Sequence, residues 1–166
     1  MNPDYHNPVA ITFGRGMLAR LPSVIGDRKA VLVTFPEAEG FGLTQRIRDL
    51  LGDRLVAVEP ATVPNPDVAS LTGMYERFWK DHGDADVVLG VGGGSALDTA
   101  KALMVGTPSG QFAELVQLLA TGKPFTPARV KPLVMVPPRR ARGARSRPGR
   151  RCGIARRARR RSIPCT

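Results

Sequence analysis

Between Lys29 and Phe35 the chain reads KAVLVTF, a continuous apolar, β-branched run that suits a strand buried on both faces. Gly40-Phe41-Gly42 interrupts it. From Leu43 to Leu51 the apolar positions Leu43, Ile47, Leu50 and Leu51 fall on one side of a helix, with Gly52 as its stop. Leu55 to Val58 predicts a second short strand, ended by Pro60 and the turn Pro64-Asn65-Pro66. Asp67 is placed to cap a helix carrying Val68, Leu71, Met74, Tyr75, Phe78 and Trp79 at spacings of three and four, and Gly83 ends it. Val87 to Val91 is the third buried strand. A helix follows the glycines and continues through Thr99 to Val105, Gln111 to Leu119 is another helical stretch, and Lys131 to Val136 is the last strand-like run. Strand and helix alternate throughout, which predicts the α/β class: a parallel sheet with helices on both faces.

At 166 residues and 42% apolar composition the chain is long enough to bury one good core. The formal charge of +11 suggests a nucleic-acid binder until it is mapped along the sequence. Arg139 to Thr166 holds twelve arginines, no lysine and no acid, so thirteen of the 25 basic residues face all 14 acidic ones in the remainder. The excess charge belongs to this last segment and not to the body. Cys152 and Cys165 also lie there, without His or Cys partners at metal-ligand spacing. The N-terminus has no apolar signal-like run and no stretch reaches membrane-spanning length, so a soluble cytoplasmic protein without membrane contact is expected. His6 and His82 stand isolated among loop residues. Tyr75, Phe78 and Trp79 could stack on bases, but their helical spacing assigns them to the core.

The chemistry centres on DVVLGVGGGSALDTAK, Asp86 to Lys101. A parallel α/β sheet binds ligands beyond the carboxyl ends of its strands, where loops lead into helices, and Gly92-Gly93-Gly94-Ser95 occupies such a place. Glycines let a backbone approach a phosphate and adopt positive φ. Ser95 could cap a helix whose amides favour an anion, and Asp98 lies one turn further on. The spacing Gly90-x-Gly92-x-x-Ser95 departs from the three-glycine dinucleotide fingerprint. A tight strand-to-helix turn that needs glycine only for packing also accounts for it.

GGGSALDTAK, with VPNPD upstream and FGRG near the start, closely resembles the iron-containing (group III) alcohol dehydrogenases from about Phe13 to Pro137. The resemblance implies a Rossmann-like domain that binds NAD or NADP and takes part in alcohol/aldehyde interconversion by hydride transfer. It implies that Gly92, Gly93, Gly94 and Ser95 cradle the pyrophosphate, that Asp98 lies near the nicotinamide, and that Asn65 lines the cofactor cleft. It also implies a small alcohol or aldehyde as substrate, a homodimer, and an all-helical C-terminal domain with an aspartate and three histidines on iron or another divalent metal. That domain is not in this sequence, so no catalytic or metal-binding residue is assigned. Many NAD-preferring members carry an acid at the end of the first strand. Here Thr34 is followed by Phe35, which leaves room for a 2′-phosphate, while Glu37 nearby could substitute.

The resemblance divides the chain into a dinucleotide-binding domain, 1–137, and an Arg-rich segment expected to be disordered, 138–166. After the strand LVMVP the family continues with Thr-Thr-Ala-Gly-Thr-Gly-Ser-Glu, whereas this chain reads PRRARGARSRPGRRCG. Joining the last base of each codon to the first two of the next, with free choice among synonymous codons, yields the family loop in register from Pro137 onward. The segment therefore reads as the product of a base lost near Pro137, and the chain as an N-terminal fragment inactive alone. The restored loop favours the alcohol dehydrogenases over the related glycerol dehydrogenases, maleylacetate reductases and dehydroquinate synthases. A different reading makes the arginines a non-specific nucleic-acid arm, although it has no aromatic residue for base stacking.

Overall fold

The computed structural model describes residues 8–61, 67–122 and 126–137. A short helix α1 (Leu21–Ile25) precedes β1 (Ala30–Thr34), α2 (Leu43–Leu51) and β2 (Leu55–Pro60). Then come α3 (Val68–Asp81), β3 (Val87–Val91), α4 (Gly94–Leu103), β4 (Val105–Gly106), α5 (Phe112–Ala120), β5 (Arg129–Val130) and β6 (Leu133–Val136). Four strands form one parallel sheet in the order β2-β1-β3-β6, and β4 pairs with β5 as a separate antiparallel ribbon. The α/β class and the parallel sheet are as the sequence pattern predicts.

β1 explains why its sequence shows no polar alternation. Its neighbours are β2 and β3, and successive side chains enter two different cores. Ala30 and Leu32 join Val87, Leu89 and Val91 beneath Leu21 and Ile25 of α1 and Ile47 and Leu51 of α2. Val31 and Val33 join Val88 beneath Met74, Tyr75 and Phe78 of α3, Ala96, Ala100 and Leu103 of α4, and Phe112 and Leu115 of α5. The aromatic triplet of α3 is thus core: Tyr75 and Phe78 are fully buried, and Trp79 packs against the same cluster.

The start of α3 is a complete capping box. Asp67 accepts the Ser70 backbone N–H at 2.8 Å, and the Ser70 hydroxyl accepts the Asp67 N–H at 3.1 Å. The Ser70 backbone and side-chain bonds hold the Asp67 carboxyl below its usual range. Two local expectations are corrected. α4 begins at Gly94, ahead of the Ser95 expected to cap it, and Val105 lies outside it, paired with Val130 in the ribbon.

Candidate functional site

Strand order places the glycine loop. From β1 the chain leaves through α2 on one face toward β2, and from β3 it leaves through α4 on the other face toward β6. Adjacent strands whose connections diverge leave a crevice beyond their carboxyl ends, and here it lies between β1 and β3. Thr34 Oγ1, buried, donates to the Val91 carbonyl at 2.8 Å and ties the two strand ends together. On the other side the Gly92 N–H donates to the Val136 carbonyl of β6 at 3.3 Å.

The four glycines of the motif divide into two pairs. A Cβ on Gly90 would lie 2.9 Å from Ala100 Cβ, so glycine there lets α4 sit on the sheet. Gly92 has φ +148°, and a Cβ would lie 3.0 Å from Ala96 Cβ and 3.1 Å from Phe35 Cδ1. Packing and backbone conformation explain both. Gly93 has an extended backbone (φ −73°, ψ −174°), Gly94 opens the helix, and a Cβ on either would meet nothing within 4 Å among the described residues. Among the described residues neither packing nor conformation demands glycine at these two positions.

Gly93 is the cap residue of α4, with no side-chain capping bond, and the first turn carries no acid. Ser95, expected at the cap, lies instead inside the first turn. Asp98 sits one turn further on, with its carboxylate exposed and paired to Lys101 at 3.0 Å. Gly92, Gly93, Gly94, Ser95 and Asp98 therefore occupy one strand-turn-helix unit. Asn65 and His6 lie outside the described residues, as does the segment from Pro138 onward. His82 is the cap at the end of α3, and its Nε2 lies 3.7 Å from Glu59, a buried carboxylate that also accepts from Arg77 at 3.2 Å. That cluster fastens α3 to β2.

Two aromatic residues, neither assigned as a binding residue from the motif, stand at this end of the sheet. The ring of Phe35 lies against Gly92, and Phe41, 77% exposed, lies 6.2 Å from it between ring centroids. Their signal was an apolar residue directly after a buried strand and another between two glycines. Among the described residues no group of three or more His, Cys, Asp or Glu could hold a metal ion. None of their helices is long and apolar enough to cross a membrane.

Sheet and loop together define a parallel α/β protein with a glycine-rich turn at the switch point of its strand order. Within that class the chain belongs to the iron-containing alcohol dehydrogenase family, whose model matches residues 8–148. The match ends inside the arginine-rich segment. The chain is 31% identical over 116 residues to alcohol dehydrogenase 4 of Saccharomyces cerevisiae, which covers 66% of this chain and 30% of the relative. It is 34% identical over 99 residues to maleylacetate reductase 2 of Cupriavidus pinatubonensis, covering 58% and 26% respectively. The sulfoacetaldehyde reductase of Bifidobacterium kashiwanohense, solved in complex with NAD+, superimposes with a TM-score of 0.64 at 26% identity over 82% of this chain and 36% of that one. The chain thus spans about 30% of the length of the curated relatives it matches.

Proposed function

We propose that residues 1–137 form the dinucleotide-binding unit of an NAD(P)-dependent alcohol dehydrogenase, with the pyrophosphate lying on Gly92-Gly93-Gly94-Ser95. One observation carries this reading. Gly93 and Gly94 are glycines that no packing among the described residues requires, and they stand at the start of α4, whose cap residue makes no side-chain hydrogen bond. A side chain there would hold off a ligand rather than disturb a neighbour. The helix amides and dipole favour an anionic group at that place. Asp98 is carried over from the resemblance as a residue near the nicotinamide, with Lys101 orienting its carboxylate. Asn65, outside the described residues, is carried over from the resemblance alone as a cleft residue.

A nicotinamide dinucleotide, when bound, supplies or accepts the hydride in alcohol/aldehyde interconversion. The contribution of this chain is to bind and orient it: Thr34 and Gly92 fix the strand ends, Gly90 seats α4, and Gly93 and Gly94 admit the phosphates. The described residues do not fit a metal site, so no step is assigned to iron here. The reading therefore gives this chain dinucleotide binding without alcohol turnover. Maleylacetate reductase is the second reading for the reaction, supported by the 34% identity to that enzyme.

Calorimetric titration of the full chain with NAD and NADP tests the site, with Gly94→Val as the control variant. The variant is expected to unfold at nearly the same temperature and to lose dinucleotide binding. Unchanged affinity for both dinucleotides in a folded Gly94→Val protein would sink the proposal. Alcohol oxidation by the 166-residue chain would sink the division between binding and turnover.

A further inference from the structure

The two edges of the main sheet are not alike. β2 is guarded in the ways that keep an edge from pairing with another chain: its register with β1 slips between Ala30 and Val31, it carries the charged Glu59, and Pro60 closes it. β6 reads Leu-Val-Met-Val, without a charge and without a slip in its register against β3. β3 is its one strand neighbour among the described residues. β1 and β3, with a neighbour on each side, are buried at every position, whereas β6 is partly exposed along its length and Met135 is 44% exposed. Residues 138–166 contain no apolar run from which a further strand could be drawn.

The ladder to β3 fixes which backbone groups of β6 are left over. The Val88 N–H donates to the Pro132 carbonyl at 3.0 Å and the Gly92 N–H to the Val136 carbonyl at 3.3 Å. Alternate residues of a strand turn both backbone groups to the same side, so Pro132, Val134 and Val136 face β3 while Leu133 and Met135 turn theirs to the open edge. We propose that this edge pairs antiparallel with β6 of a second copy of the chain, about a two-fold axis at Val134. Leu133 then lies opposite Met135 of the partner subunit and Met135 opposite the partner's Leu133, with two hydrogen bonds at each pair. Val134 meets its own counterpart on the face packed by α1 and α2, and Leu133 and Met135 meet on the other. The neighbouring registers are poorer. An axis at Leu133 calls on the Lys131 N–H, which already donates to the Met104 carbonyl at 2.8 Å, and an axis at Met135 calls on Pro137, which has no N–H. With the axis at Val134, Pro132 stands opposite the partner's Val136, where neither residue needs a backbone group across the edge. The edge is self-complementary in that register. Two-fold pairing uses up both open edges, so association stops at two. Four-residue strands bury less than the roughly 1,200–2,000 Å² of a standard interface, which makes the dimer weak and concentration-dependent.

The test is sedimentation velocity of the full 166-residue chain from about 1 μM to about 1 mM, the span of weak affinities. Salt at about 0.5 M screens the repulsion between the two arginine-rich segments Arg139 to Thr166. The wild type is expected to pass from monomer to dimer over that range. Met135→Lys, which sets a charge in the pairing, is expected to stay monomeric, and Val56→Lys on β2 to dimerise as the wild type does. A wild type that stays monomeric or grows beyond a dimer overturns the proposal, as does a dimer that Met135→Lys leaves intact or Val56→Lys removes. Hydrogen exchange reads the same pairing without a variant. The Leu133 and Met135 amides are expected to slow about tenfold between dilute and concentrated protein, while those of Val134 and Val136, held by β3, keep one rate. Unchanged exchange at Leu133 and Met135 overturns the pairing even where a dimer forms.

Discussion

At the amino end of the central strands the chain closes over its own backbone. Lys131, just before β6, donates its ammonium to the carbonyls of Gly83, at 2.9 Å, and Ala85 in the segment leading into β3. Its Nζ also lies 4.9 Å from the centroid of the Trp79 ring, and that ring packs so tightly that a Cβ on Gly106 would sit 2.7 Å from it. At the carboxyl end the chain withdraws its side chains: Gly93 and Gly94 meet no neighbour among the described residues, and α4 starts without a side-chain cap. Backbone polar groups need partners at both ends. Where the chain supplies them with buried side chains the result is stability; where its own side chains stand back, another molecule has room to approach.

The largest expected effect lies at the closed end. Lys131→Met removes the donor to two carbonyls and is expected to cost about 2–4 kcal/mol in urea unfolding of the full chain. A cost below about 0.5 kcal/mol would mean that water already satisfies those carbonyls and that the end is not closed. The next effect separates the two glycine pairs. Gly90→Ala forces a methyl against Ala100 and is expected to cost about 1–3 kcal/mol. Gly94→Ala is expected to leave stability unchanged or raise it by up to about 1 kcal/mol, because alanine suits a helix better than glycine. Equal costs at the two positions would erase the difference between packed and open glycines.

The smallest effect is a slope against pH. Burial lowers the Lys131 pKa from 10.5 in the fold, so the unfolded chain keeps its proton to higher pH than the folded one. Stability from this group is therefore gained as pH rises from the lowered folded value toward 10.5. Burial raises the Tyr75 pKa above 10.0 and acts oppositely at the upper edge, because the unfolded chain then loses its phenol proton first. The Lys131 part is read as the difference between wild type and Lys131→Met, in which Tyr75 is common to both. An identical alkaline dependence of the two melting temperatures would remove it.

Where local pattern and tertiary environment agree, the sequence was legible to the residue. α2 spans Leu43–Leu51 as its apolar spacing predicts, and β3 spans Val87–Val91, because a strand between two neighbours needs apolar side chains on both faces. Asp67 was readable as a cap because capping needs only a short polar side chain and an amide three residues on. The start of α4 was not. Its glycines look like loop, yet the first turn of a helix tolerates them, since its amides have no helical partner to lose. The β4–β5 ribbon was equally hidden: two residues pairing across more than twenty positions leave no periodicity to detect.

Within the site, the sequence alone determined the family resemblance, the parallel α/β architecture and the place of the glycine loop after a buried strand. These follow from spacing and residue type within one segment. It did not determine which glycines serve the fold. That distinction depends on what surrounds a missing Cβ: Ala100 at Gly90, Phe35 and Ala96 at Gly92, and no described neighbour at Gly93 and Gly94. Tertiary structure also brought segment 35–42 beside the loop, across 57 positions from Thr34 to Val91. Strand order decides such neighbours, and strand order is set by how the helices divide between two faces, which no single segment encodes.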